Sequence, residues 1–327
     1  MKNIKQILLT VTLLASLLIT GFSQLSVNAQ TEDSLDIAIV QFVSHPSLDQ
    51  IVQGIKDELA ENNYIEGENL TIDFHNAEAD INLLGTIAEQ VVSQKPDLIF
   101  AVTTPVSQAF QNKTSDIPII MAGVTDPISA GLVDNVEKPG ENISGTSDAF
   151  PLELHFDLML QIDPSIKTIG MIYTSSEDNA QAEIEAAKEV AEGMGLEVII
   201  EGIAATLDMQ MVAENLSSQV DAIYVGSDNT IASAFETLLD ATDRVDIAVY
   251  PSVDNMVEQG GLAAVAITQA DLGIEAARMA IKVLDGTAIG DIPIHFVDNL
   301  RLVYNSDTAE RLNIEIPAEL VETLEDL

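Results

Sequence analysis

Short, nearly continuous apolar runs alternate along this chain with longer stretches whose apolar residues recur every three to four positions. "LDIAIVQFV" (Leu35 to Val43) is the first short run, of the kind found in strands covered on both faces. "SLDQIVQGIKDELAENNY" follows, with Leu48, Ile51, Ile55 and Leu59 at helical spacing. "NLTIDFHNA" alternates as a strand, "DINLLGTIAEQVVSQKP" reads as a helix closed by Pro96, "DLIFAVTT" as a strand, "PVSQAFQNKT" as a helix and "IPIIMAGV" as a strand. A second series repeats the rhythm. "IKTIGMIYT", "LEVIIEGIA", "DAIYVGS" and "VDIAVYPS" predict strands, and "DNAQAEIEAAKEVAEGMG", "LDMQMVAENLSSQV" and "NTIASAFETLLDAT" predict the helices between them. Strand–helix alternation implies parallel sheets with helices on both faces.

Two series of similar size predict an α/β fold with two similar doubly wound parallel-sheet lobes. The polar stretch "NISGTSDAFPLE" (Asn142 to Glu153) marks the first boundary. After Ser252 the order is less regular: "GGLAAVAIT" and "LRLVYNSDTAERLNI" contain strands, and "DLGIEAARMAIKVLDG" is a helix. These pieces complete both lobes if the chain crosses more than once, giving a multi-strand hinge. The expected division is 33–146 with about 254–290 for the first lobe, and 147–253 with about 291–327 for the second.

The N-terminus adds an address. Lys2 and Lys5 precede a 13-residue apolar run, Ile7 to Ile19, too short to span a bilayer and suited to a signal-peptide core. Val27 and Ala29 then supply a small-residue cleavage site, so residues 1–29 read as a signal peptide and the mature chain as extracellular or at the cell surface. "ITGF" has the form of a lipoprotein box, but Phe22 stands where the lipid-bearing cysteine would be, so a lipid anchor is not expected.

Charge and composition narrow the chemistry. The 13 Lys and Arg against 53 Asp and Glu give a net charge of −40, which repels phosphate backbones and argues against nucleic-acid binding. The acids are scattered along the chain, as on a solvated surface suited to saline or alkaline surroundings. The chain has no cysteine, which excludes disulfides and thiolate chemistry. His45, His75, His155 and His295 show no metal-ligand spacing, no glycine-rich phosphate loop follows the first strand, and Ser147 lacks the flanks of a nucleophile elbow. The chain is therefore expected to be a binding protein without cofactor, metal or catalysis.

Ligands of open parallel sheets bind beyond the carboxyl ends of the strands, and several strands here end in polar clusters. These are Thr103-Thr104-Pro105, with Ser107 close behind; Thr125-Asp126; Thr174 to Asn179, including Ser176; Ser227-Asp228-Asn229-Thr230; and Ser252. Any one of them alone reads as a helix cap, and Pro105 suits the first turn behind a Thr cap. Together, facing across two lobes, they equip a cleft for a small zwitterion. Helix N-termini and hydroxyls hold a carboxylate, and Asp126, Asp148 or Asp228 pairs with an ammonium. On this reading Asp228→Ala weakens binding and leaves the fold near its original stability.

The order of "VTTPVSQA", "GVTDPISAGLV", "NISGTSD", "YTSSEDNA", "YVGSDNTIAS" and "GGLAAVAIT…DLGIEAARMA" resembles the ABC-transporter substrate-binding proteins of the type I periplasmic-binding-protein fold. In particular the chain is similar to the tryptophan/tyrosine-type, aromatic-amino-acid-binding lipoproteins of Gram-positive bacteria. The resemblance implies a hinged trap for one small ligand, most simply an aromatic amino acid, acting as a monomer that delivers it to a membrane permease driven by a cytoplasmic ATPase. It further implies Thr103, Thr104 and Thr125 on the carboxylate, Asp148 or Asp228 on the ammonium, and Phe42 or Phe150 over the apolar part; Ser107, Asp126, Ser147, Ser176, Asn179, Asn229 and Ser252 are the other residues expected to line the cleft. The alternative is a sensor of a branched amino acid, a peptide or a purine-like solute that signals to a receptor.

Overall fold

The computed structural model describes residues 34–297 and 299–327. The expected signal peptide, its cleavage site and Phe22 lie outside the described residues.

The first series folds as β1 (Leu35–Gln41), α1 (Pro46–Glu61), β2 (Leu70–Asn76), α2 (Ile81–Gln94), β3 (Leu98–Val102), α3 (Thr104–Gln111), β4 (Ile119–Ala122) and β5 (Ile143–Ser147). Pro46 opens α1 with its φ already set for a helix, and Leu48, Ile51, Ile55 and Leu59 face the core, as their spacing requires. Asp80 caps α2 by accepting from the N–H groups of Asn82 and Leu83, and Lys95 ends it in a left-handed conformation before Pro96.

The second series folds as α4 (Leu152–Ile162), β6 (Thr168–Thr174), α5 (Asp178–Gly193), β7 (Glu197–Ile203), α6 (Met209–Ser217), β8 (Ala222–Val225), α7 (Asn229–Ser233), α8 (Phe235–Asp243) and β9 (Ala248–Pro251). The stretch expected as one helix over 229–242 is thus two, broken where Ala234 leaves the helical region at φ −127°, ψ 25°. The chain continues through α9 (Asp254–Glu258), β10 (Ala263–Ile267), α10 (Gln269–Leu284), β11 (His295–Phe296), β12 (Leu300–Tyr304), α11 (Ser306–Arg311), α12 (Ala318–Val321) and β13 (Glu325–Asp326).

The first sheet has the order β11-β5-β4-β3-β1-β2 and the second β7-β6-β8-β9, every pair in both being parallel. Both are doubly wound. In the first, strand order reverses between β1 and β3, where Gln41 pairs with Val102. In the second it reverses between β6 and β8. Such switch points open a crevice at the strands' carboxyl ends.

A third sheet, β10-β12-β13, carries the late crossings, with β10 and β12 antiparallel. The lobe boundaries therefore differ from those expected. Strand β10 packs its Ala263 and Val265 into the second lobe's core, so the chain returns to the first lobe near Thr268, not near 254. The polar boundary stretch is also partly a strand. β5 belongs to the first sheet because its hydroxyls find backbone partners: Ser144 donates to Ile292 O at 2.7 Å and Thr146 to Leu272 O at 3.2 Å. β11 pairs with β5, which places 295–296 in the first lobe rather than the second.

Helices α1 and α10 cross at glycines. A Cβ on Gly273 would lie 2.0 Å from Ile51 O, and one on Gly54 2.5 Å from Ala270 O. Gly273→Ala is expected to force these helices apart and cost roughly 1–3 kcal/mol, read as a lower melting temperature. Both helices begin at the site described next.

Candidate functional site

The two crevices meet in a cavity lined by residues of both lobes, where ligands of such sheets bind. The first lobe contributes His45, Ser47, Leu48 and Ile51 from the end of β1 and the start of α1, Thr103 and Thr104 beyond β3, Gly123 and Thr125 beyond β4, and Gln269 at the start of α10. Asp148 stands where β5 leaves for the second lobe, and the opposite wall is Asn179, Ser227, Asp228, Asn229, Ala232, Val253 and Met256. Among the described residues, no Lys or Arg lines it.

Direct bonds hold the walls together. Gln50 donates to Asn255 Oδ1 at 3.2 Å, Asn255 to Ser47 Oγ at 3.4 Å, and Gln108 to Asp178 at 3.0 Å. The lobes are closed on each other.

Several lining side chains carry enclosed polar atoms without a hydrogen-bond partner: Thr103 Oγ1, Thr104 Oγ1, Asp148 Oδ1, Asn179 Oδ1 and His45 Nε2. Folded proteins rarely leave such atoms unmatched. Their convergence on one cavity is the mark of a surface built for a polar ligand. Thr103 adds backbone strain. It sits at φ 87°, ψ 166° and makes no cap bond with its side chain, although a β-branched residue at positive φ is costly. The expected Thr cap is thus absent, and its hydroxyl is left to the cavity.

The two aspartates that sequence could not separate have different tasks. Asp228 Oδ1 accepts from Ile231 N at 2.9 Å and from Thr174 Oγ1 at 2.8 Å, and Oδ2 accepts from Thr174 N at 2.5 Å. It caps α7 and ties α7 to β6. Burial, and then the nearby Glu177 carboxylate, hold its pKa well above the usual carboxylate range. Glu177 completes the cap, accepting from Asn229 Nδ2 at 2.5 Å and Thr230 N at 2.9 Å. Asp148, by contrast, keeps Oδ1 enclosed and unpartnered. Burial raises its pKa, opposed by the hydroxyl of Thr125, its own backbone N–H and the hydroxyl of Ser227.

Behind Ser227 lies Glu183, which accepts from Tyr224 OH at 2.6 Å and Ser227 N at 2.9 Å. Gly226 makes room for it, since a Cβ there would lie 2.7 Å from Glu183 Oε1. Burial, reinforced by the charge of Asp148, pushes Glu183 up to about 7. A carboxyl raised in the folded state adds stability that is full below the unfolded value near 4.5 and is lost as pH rises through about 7. The loss amounts to roughly 3 kcal/mol. Glu183→Gln is expected to remove that part of the stability decline between pH 4.5 and 7, measured by denaturant melts across the range.

Of the residues expected at the site, Thr103, Thr104, Thr125, Asp148, Asn179, Asp228 and Asn229 come together around the cavity. The others do not. Ser107 turns back to Thr103 O, 2.9 Å away. Ser147 donates to Thr125 O. Asp126 is exposed and caps its own turn at Ile128 N and Ser129 N. Ser176 is exposed, and Ser252 is buried behind Ser227, 3.4 Å between hydroxyls. Phe42 is buried in the first lobe's core and Phe150 packs on the second lobe's core against His155. The apolar cover is instead Leu48, Ile51, Val253 and Met256. His45 and Gln269 also line the cavity, though neither was among the residues expected there. The strand-end rule applied to "VSHPS" after β1 points to His45, whereas nothing local marks Gln269.

The family model that matches this chain, over residues 36–325, is described as ABC transporter substrate binding protein. A tyrosine-binding protein of Clostridioides difficile is 38% identical over 280 residues, covering 86% of this chain and 81% of that protein. The ABC domain from Streptococcus pneumoniae in complex with L-Trp is 39% identical and superposes with a TM-score of 0.86, covering 89% of this chain and all of that one. A substrate-binding protein with adhesive properties from Clostridium difficile, in a ligand-free, open structure, is 36% identical with a TM-score of 0.68, covering 90% of this chain and 99% of that one. The better match to the ligand-bound structure accords with the contacts between the walls seen here.

Proposed function

The chain belongs to the family of ABC transporter substrate-binding proteins, and from that premise we propose that it captures an aromatic amino acid between its lobes for delivery to a membrane permease. The observation that carries this reading is Asp148: an enclosed carboxyl oxygen without a partner, in a cavity that no Lys or Arg among the described residues lines. An ammonium group satisfies it. The Thr103 and Thr104 hydroxyls, at the N-terminus of α3, suit the carboxylate of the same molecule. Leu48, Ile51, Val253 and Met256 then cover an apolar side chain. The tyrosine-binding relative and the neighbour holding L-Trp support an aromatic one.

Both lobes contribute, so a bound ligand adds contacts that exist only in the closed state and shifts the protein towards it. The permease and ATPase are the partners such a carrier requires. Export of the mature chain to the cell surface rests on the segment from Lys2 to Ala29. A thermal-shift screen of the amino acids tests the ligand class. Tyrosine or tryptophan at a hundred times its dissociation constant is expected to stabilise the protein by about 2.7 kcal/mol. A screen in which only aliphatic amino acids or non-amino-acid solutes shift the melting point overturns it.

A further inference from the structure

We propose that Nε2 of His45 accepts a hydrogen bond from the ring of the bound ligand, so that the site selects aromatic amino acids whose ring carries an O–H or N–H donor and discriminates against phenylalanine. The inference rests on the aromatic-amino-acid reading above and adds the group that chooses among its members.

His45 is 8% exposed, and its Nε2 is enclosed with no hydrogen-bond partner. Burial lowers its pKa to about 4, against the opposing pull of Asp49 and the Asn229 side chain, so the ring is neutral. A neutral imidazole has one nitrogen that donates and one that accepts. The Asn229 side chain is the ring's polar neighbour; its amide N–H is given to Glu177 at 2.5 Å, which leaves its carbonyl oxygen for the ring, and Nε2 is the nitrogen without a partner. With the imidazole N–H directed at that carbonyl, the remaining nitrogen offers the cavity a lone pair. The apolar side chains of Leu48, Ala232 and Met256 that share the cavity have no donor to fill it.

The position of His45 matches the far end of a ligand held at Asp148. His45 and Ala232 line both the cavity and the groove that opens outside it, so they stand at one end. Thr125 lines both the cavity and the separate pocket beside Glu183, so it marks the other. Thr125 is also the residue whose hydroxyl acts on Asp148. An amino acid with its ammonium at Asp148 points its side chain towards His45. The phenol O–H of tyrosine and the indole N–H of tryptophan each provide a donor there. Phenylalanine leaves an enclosed acceptor unmatched, which weakens binding about tenfold or more.

The test is calorimetric titration of the full mature chain with L-tyrosine, L-tryptophan and L-phenylalanine, for the wild type, His45→Leu and His45→Gln. His45 makes no side-chain cap bond to α1, so both variants are expected to fold. In the wild type, tyrosine or tryptophan binds at least about tenfold more tightly than phenylalanine. His45→Leu brings the affinities together, mainly by weakening the donor-bearing ligand. His45→Gln retains an acceptor oxygen and keeps the preference. Equal wild-type affinity for phenylalanine, a preference that survives His45→Leu, or its loss in both variants overturns the inference while leaving the ligand class intact. If none of the three amino acids binds the wild type, the ligand class itself falls, and this inference with it.

Discussion

Asp148→Asn is expected to remove most amino-acid affinity while making the ligand-free protein no less stable. The two effects have one origin. Asp148 holds a carboxyl oxygen enclosed and unpartnered, and burial has already pushed its pKa up, the sign that ionising it there is unfavourable. A folded-state pKa above the unfolded value means that the group contributes stability below the unfolded pKa and loses it as pH rises. A charge on this carboxyl is therefore a strain on the ligand-free fold, and an ammonium beside it relieves that strain. Asparagine removes the charge and keeps the shape. Truncating one member of a buried ion pair costs about 2–5 kcal/mol in binding, a loss of some 30-fold to several thousandfold by calorimetry. Thermal melts of the ligand-free variant are expected to match or exceed the wild type at pH 8.

Asp228→Ala is expected to do the reverse. The substitution leaves Thr174 N–H, the Thr174 hydroxyl and Ile231 N–H, all buried, without their acceptor. Each unsatisfied buried group costs about 1–3 kcal/mol. Relief of the repulsion between Asp228 and Glu177 offsets part of this, so a net loss of about 2–4 kcal/mol is expected in denaturant melts. Affinity measured well below the melting temperature should change by no more than a few fold, because both Asp228 oxygens are already engaged. A variant that melts like the wild type yet binds poorly would restore the ligand-contact role that the sequence suggested.

The contrast between these two aspartates shows what the sequence could and could not reveal. Apolar runs alternating with helical spacing determined the parallel sheets, and small polar residues after each strand located the site's walls at Thr103, Thr125 and Asn229. Both readings depend on local pattern alone. Whether a polar residue faces the cavity or the protein depends on partners far away in the chain. Asp228 is claimed by Thr174, 54 positions earlier, and Ser147 by the backbone of Thr125. Phe42 went wrong for a related reason: large aromatics after a strand are as readily core as cover, and the cover came from Leu48 and Ile51 on the turn of α1 that follows. Strand β5 was hidden because its buried hydroxyls are satisfied by backbone carbonyls near Leu272 and Ile292, which no apolar pattern announces. The late crossing near Thr268 was misplaced because β10 pairs with β12, a partner more than thirty residues on.

The central claim is that this cavity closes on the zwitterionic head of an aromatic amino acid with Asp148 on its ammonium. Parallel calorimetric titration of L-tyrosine and L-tryptophan into the wild type and Asp148→Asn tests it most directly. One-to-one binding of at least one of them to the wild type, weakened at least about 30-fold in Asp148→Asn, is the expected result. Equal binding to the two proteins, or no binding of either amino acid to the wild type, would contradict it.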